Sequence, residues 1–232
     1  MTTHVITGAG SGIGRVLAER LRDRGDSLVL LVRSAERINE LRPDFPAAVF
    51  VEADLARPAT LQGLGAVVAG PVDSLVQVAG VVELSDVADL DLDAWQAQLD
   101  ANLTAPAVLV RELLPQLRAS HGTVVFVNSG AGLSAGPGWS GYAASKFGLR
   151  ALADSLRAEE AAHGVRVTTV FPGRTGTPMQ EKVHEQEGAA YDASRWIRPE
   201  TVADTILHVI DLPPDATIPD VTLRPVPPRQ DA

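Results

Sequence analysis

The chain has 232 residues and is 45% hydrophobic, enough to bury a sizeable core and to fit one domain. Its formal net charge of -9 repels a phosphate backbone, so nucleic acid is not the expected partner. There is no cysteine, which excludes disulfides, thiolate nucleophiles and zinc–cysteine sites. The five histidines show no ligand spacing, and no metal is expected. The chain enters an apolar strand pattern at once, without a cationic leader. No apolar run reaches the roughly 20 residues that span a bilayer. A cytoplasmic protein with no membrane partner is expected.

Short apolar runs predict strands at 4–7, 27–32, 47–52, 74–78, 123–128, 166–171 and 221–224. Amphipathic stretches between them predict helices at 12–24, 35–41, 58–68, 92–101, 103–119, 140–163 and 199–210. Runs such as Leu28 to Val32 and Val124 to Val127 are apolar at every position, as in parallel strands covered on both faces. Strict alternation of strand and helix predicts an α/β fold. Its form is a Rossmann-type doubly wound parallel sheet of about seven strands, with helices on both faces. No linker or repeat interrupts it, so 1–232 reads as one catalytic domain. Pro106 and Pro115 predict a break or bend in the long middle helical region. Segment 173–198 lacks a clear pattern and is expected to cover a site as a lid. The proline-rich tail, 225–232, is expected to fray.

The run from Thr7 to Gly14, Thr-Gly-Ala-Gly-Ser-Gly-Ile-Gly, lies between the first strand and the first helix. Gly8, Gly12 and Gly14 provide a tight turn and let a pyrophosphate approach backbone N–H groups with no Cβ in the way. The helix that follows presents unpaired donors and the positive end of its dipole. Glycine alone is a weak signal, but this placement is the one a dinucleotide needs. The second strand ends in Val32-Arg33-Ser34, where an NAD-binding unit usually carries an acid. The Arg33 guanidinium suits a 2′-phosphate. NADP(H) is therefore the preferred cofactor, with NAD(H) the other candidate.

Tyr142 and Lys146 stand four residues apart on one helical face. A cation beside the phenol is expected to lower its pKa and make Tyr142 a general acid/base. Ser129 ends the fifth predicted strand, at the carboxyl edge where open α/β sheets bind ligands. A glycine-rich loop of 12 residues separates it from Tyr142. Taken singly, each has a plain alternative. Tyr142 and Lys146 form a common spacing, and Ser129 suits a loop cap.

Together these residues resemble the short-chain dehydrogenases/reductases, over nearly the whole chain from Thr7 to about Pro225. The run ending in Ser11, Gly12, Ile13 and Gly14 looks like the family's TGxxxGIG cofactor motif. Asp54-Leu55 is similar to the pair that contacts adenine. Asn102, Ser129, Tyr142 and Lys146 match the catalytic tetrad. Pro172-Gly173 followed by Thr177 matches the PGxxxT segment, whose threonine contacts the nicotinamide carboxamide. The resemblance implies that Tyr142 exchanges a proton with the substrate oxygen while Ser129 hydrogen-bonds it. Lys146 would tune Tyr142 and bind the nicotinamide ribose. Asn102 would hold a water in a proton relay. The family's usual Asn-Asn-Ala-Gly is Gln77-Val78-Ala79-Gly80 here. Ala79 and Gly80 keep the close approach to the cofactor, but the asparagine side-chain bonds are lost. By resemblance the substrate is a small carbonyl or alcohol and the protein a homodimer or homotetramer. The alternative class is a non-catalytic NAD(P)-sensing regulator. Such proteins tend to lose the tyrosine or the lysine, and both stand here.

Overall fold

The computed structural model describes residues 2–226. Of the tail expected to fray, 227–232 lie outside the described residues. Seven strands form one parallel sheet: β1 (Thr3–Thr7), β2 (Ser27–Val32), β3 (Val49–Glu52), β4 (Ser74–Gln77), β5 (Thr123–Val127), β6 (Arg166–Pro172) and β7 (Asp220–Leu223). Their order is β3-β2-β1-β4-β5-β6-β7, and every neighbouring pair is parallel. The chain winds outward from β1 to β3, then returns to the far side of β1 and winds outward again. That reversal opens a crevice above the carboxyl ends of β1 and β4.

Both faces of the five central strands are buried, as the unbroken apolar runs require, while the edge strands β3 and β7 are partly exposed. Strand residues alternate between two cores. Val5, Val29, Leu31, Leu75, Val124, Phe126 and Val167 join α3 (Leu64–Val67), α5 (Ala105–Ser120) and α6 (Ser140–Glu160) on one side. Ile6, Leu28, Leu30, Val76, Val125 and Val170 join α1 (Gly12–Asp23), α2 (Ala35–Leu41) and α8 (Pro199–Ile210) on the other. No helix among the described residues is long and apolar enough to cross a membrane.

Three expectations about elements need correction. The helix expected at 58–68 is instead a 3₁₀ turn, Pro58–Leu61, followed by the short α3. Gly63 lies between them at φ +83°, a conformation that a continuing helix cannot contain. The two middle helices are joined rather than broken. α4 (Leu92–Leu99) runs through a π turn, Asp100–Thr104, into α5. Pro106 then falls in the first turn of α5, where its missing N–H disrupts least. Pro115 lies inside α5 without ending it, because Leu109, Leu113 and Leu117 are fully buried and hold the helix on the sheet. Finally, segment 173–198 is not all loop. It contains α7 (Pro178–Gln186) and a 3₁₀ turn, Ala193–Arg195. Met179 and Val183 alone are too sparse to show a helical period. The start signal was nevertheless present in Thr177-Pro178, a cap followed by proline at the first helical position.

Candidate active site

A cleft of about 1140 Å³ lies over the carboxyl ends of the strands. It exceeds the roughly 300–1,000 Å³ of an ordinary single-ligand pocket. Its floor is the glycine turn. Gly8 has φ +76°, and a Cβ there would stand 2.9 Å from the backbone nitrogen of Ala79. A Cβ on Gly14 would collide with the carbonyl oxygen of Gly8, so Gly14 serves the close approach of α1 to β1 and does not line the cleft. Gly8, Ser11, Gly12 and Ile13 do line it.

The loop after β4 is held from below. The Thr7 hydroxyl accepts hydrogen bonds from the backbone N–H groups of Val78 and Ala79, both at 3.1 Å. Gln77 turns away from the cleft and donates to the carbonyl of Pro106 at 3.2 Å, while Val78, Ala79 and Gly80 form the wall. The Gln77-Val78 departure thus leaves a cradle supported by the end of β1.

At the outer end, Arg33 follows β2 and is exposed on the cleft wall. Among the described residues it has no ion-pair partner. Arg37, which sequence reasoning missed, reaches the same wall from α2. Its Nη2 donates to the carbonyl of Gly10 at 2.6 Å and its Nη1 pairs with Glu40. The available signal was its spacing, four residues beyond Arg33 in a helix capped by Ser34. Asp54 is not on the cleft wall. Its carboxylate accepts from the N–H of Ala56 at 3.0 Å and pairs with Arg57 at 2.8 Å, whereas Leu55 faces the cleft.

Tyr142 and Lys146 project from the start of α6 and are buried, 6% and 3% exposed. Lys146 Nζ donates to the carbonyl of Val127 at 3.1 Å and lies 5.7 Å from the centre of the Tyr142 ring. Ser129 stands one residue beyond Asn128, at the carboxyl end of β5. Its hydroxyl accepts from the N–H of Ala131 at 3.1 Å and shares the cleft wall with the Tyr142 phenol, near enough to act on its pKa. Burial pushes the Tyr142 phenol up to about 12, with the nearby Ser129 hydroxyl opposing it. Burial also pushes Lys146 down to about 8. This corrects the expectation of a lowered tyrosine. Both groups are taken out of water, and desolvation disfavours both charged forms. At neutral pH the phenol keeps its proton.

Asn102 sits in the π turn, behind the cleft wall. Its side chain accepts from the N–H of Val81 at 2.8 Å and donates to that residue's carbonyl at 2.9 Å and to the Ser145 hydroxyl at 3.0 Å. A Cβ on Gly80 would stand 3.0 Å from Asn102 Oδ1 and 3.7 Å from Lys146 Nζ, so all three meet at one point. Four residues further on, Pro106 has no N–H to offer the Asn102 carbonyl.

The third wall is Pro172 and Gly173, at and after the end of β6, with Thr177. Thr177 caps α7, accepting from the N–H of Gln180 at 3.4 Å. Its methyl lies against Gly12, and so ties α7 to the glycine turn. An apolar cluster of Val82, Tyr142 and Val183, with Trp139 and Met179 against it, closes the inner end. Trp139 meets the Tyr142 ring edge-on at 5.8 Å.

This sheet, with a glycine turn at its switch point and a buried tyrosine–lysine pair beside it, defines a dinucleotide-dependent oxidoreductase of Rossmann type. The family profile described as short chain dehydrogenase matches residues 2–188. The chain belongs to the short-chain dehydrogenase/reductase family. It is 31% identical over 228 residues to an uncharacterized oxidoreductase of Staphylococcus epidermidis, covering 96% of each chain. Among solved structures, an oxidoreductase of the family from Burkholderia thailandensis is 31% identical, with a TM-score of 0.83 over 96% of this chain and 91% of that one. A short chain dehydrogenase from Burkholderia cenocepacia in complex with NADP is 25% identical, with a TM-score of 0.82 over 96% and 88%.

Proposed function

We propose that this protein interconverts a carbonyl compound and its alcohol, with NADP(H) preferred over NAD(H) and Tyr142 as the general acid/base. The observation that carries the reading is the buried Tyr142–Lys146 pair, on the same cleft as Ser129 and the glycine turn. The cleft fits a dinucleotide. Gly8 packs so close to the backbone of Ala79 that no side chain fits there, the turn opens a helix, and Arg33 is unpaired among the described residues at the end where a 2′-phosphate would lie. Gly8, Ser11, Gly12 and Ile13 would hold the pyrophosphate, and Arg33 with Arg37 the 2′-phosphate. Leu55, with Asp54 beside it, would flank the adenine. Ala79, Gly80, Pro172, Gly173 and Thr177 would frame the nicotinamide half, with Gly14 supporting the turn from behind. The dinucleotide, when bound, supplies or accepts the hydride.

This chain's own residues handle the proton and the oxygen. Tyr142, protonated at neutral pH, donates to the substrate oxygen as negative charge develops there. Ser129 offers that oxygen a second hydrogen bond. Lys146 stabilises the phenolate left behind. The Asn102 carbonyl, which receives no α-helical bond because residue 106 is proline, would hold the water that returns a proton to this pair. The sensing alternative is less well supported, because all four positions are present, and Ser129, Tyr142 and Lys146 line one cleft. NADPH consumption over a panel of ketones, aldehydes and hydroxy acids tests the reading. Turnover of at least one class supports it. Tight NADPH binding with no turnover across the panel would favour a sensor.

A further inference from the structure

Arg224, the first residue after β7, lines the same cleft as Ser129 and Tyr142. Its guanidinium lies against Gly130, where a Cβ would stand 3.0 Å from Nη1 and 3.7 Å from Cζ. Gly130 follows Ser129 directly, so this cation is one residue from the hydroxyl that would meet the substrate oxygen. Among the described residues Arg224 has no carboxylate partner. Lys146, also on this part of the cleft, is buried and donates to the carbonyl of Val127, and two further cations hold carboxylates. Glu187 grips Arg174 in a two-point ion pair at 2.6 and 2.7 Å, and Lys182 pairs with Glu83 at 2.8 Å. The carboxylates on the cleft wall, Glu36 and Glu40, lie in α2, at the opposite end beside Arg33 and Arg37.

A chain of net charge -9 thus sets on the cleft wall, against Gly130, a guanidinium with no carboxylate partner among the described residues. Among the described residues the cleft carries two such unpaired arginines, Arg33 at the outer end and Arg224 at the inner. We propose that Arg224 binds an anionic group on the substrate, so that the carbonyl compound is an oxo acid whose carboxylate is a short chain away from the reacting carbon. The planar fork of arginine matches a carboxylate by two parallel hydrogen bonds. A phosphate dianion would call for a second free guanidinium, and the neighbouring Arg174 is committed to Glu187. Because the side chain is exposed in the empty cleft, its charge is hydrated until a ligand displaces the water. Binding energy then comes from a partner that carries the opposite charge, and uncharged carbonyls gain nothing from it.

This inference rests on the reductase reading, and the test separates the two. Pyruvate, 2-oxobutanoate and acetoacetate are each compared with the methyl ester, in the parent protein and in Arg224→Gln and Arg224→Lys. The parent is expected to prefer each acid. In Arg224→Gln the acid-to-ester ratio of kcat/KM should fall by about ten- to a hundredfold, mainly through KM, with partial recovery in Arg224→Lys. Calorimetry of 3-hydroxybutyrate with the NADPH-loaded protein should show binding that weakens to the same degree in Arg224→Gln. Esters reduced as readily as acids, or a ratio that Arg224→Gln leaves unmoved, overturns the inference and leaves the reductase reading intact. Hydroxy-acid binding that depends on Arg224, with no turnover of any compound, overturns the reductase reading and supports the anion site.

Discussion

Tyr142 and Lys146 lie on one helical face, but burial decides their chemistry. A phenol pushed up to about 12 stays protonated through the neutral range and is ready to donate. An amine pushed down to about 8 begins to lose its charge just above neutrality. The sign follows directly. As the pH rises past about 8, Lys146 becomes neutral and can no longer stabilise the phenolate that forms when Tyr142 gives up its proton. The pH profile of kcat/KM for reduction should therefore be flat near neutrality and fall about tenfold per pH unit above about 8. Lys146→Met should be slow and should lose that limb. A parent profile that stays level to about pH 10 would contradict the assignment. At the outer end, titration should show NADPH binding tighter than NADH by about ten- to a hundredfold, and Arg33→Ala should close the gap. Equal affinities in the parent would refute the role given to Arg33. The spacing of Tyr142, Lys146 and Ser129 was legible in the sequence. Their desolvation was not, because burial depends on Val82, Trp139 and Val183, which the chain brings in from three separate segments.

The elements that carry the site were mostly visible as alternating apolar runs. The missed features have separate causes. The proline-bearing middle region forms α4, a π turn and α5 in one continuous run, because the buried leucines of α5 secure it to the sheet. The π turn is what places Asn102 against Val81 and Ser145, and no sequence period announces it. Segment 173–198 hid α7, because that helix buries only Gln180, Val183 and His184 and shows no apolar face. The first turn of α1 offers a direct check on packing. Gly14→Ala would drive a methyl into the rigid Gly8 carbonyl. It should cost about 1–3 kcal/mol of stability, read by chemical denaturation, and weaken dinucleotide binding. An unchanged midpoint with unchanged affinity would show that α1 has room to shift.

At the scale of the whole molecule, the sheet itself contains a pH-sensitive point. His4 of β1 is 3% exposed and hydrogen-bonds Ser74 of β4 at 2.7 Å. Burial lowers its pKa, against the pull of Asp26. The unfolded chain therefore binds the extra proton first, and stability falls as the pH drops below about 6.5. The melting temperature should decline in that range, and His4→Gln should flatten the slope. A parent curve flat down to about pH 5 would contradict this. Assembly belongs to the same scale. We propose that α5 and α6, the two long helices, pair between subunits, in line with the family resemblance. Phe147 of α6 is 43% exposed and faces outward. Light scattering at micromolar concentration should give a dimer or tetramer, and a monomer would contradict the pairing. The fold class could be read from the order of strands and helices alone. The charge map of the cleft could not, since Arg33, Arg37 and Arg224 gain meaning only once their carboxylate partners, or lack of them, can be seen.

The central claim is that one buried phenol moves the proton while the rest of the cleft holds the dinucleotide. Tyr142→Phe removes a single oxygen from a site whose glycine turn lies elsewhere in the cleft. NADPH affinity and turnover should be measured side by side on the parent and this variant. The account predicts unchanged NADPH binding and a loss of turnover of about a hundredfold or more. A variant that binds NADPH and keeps most of the parent's turnover would contradict it.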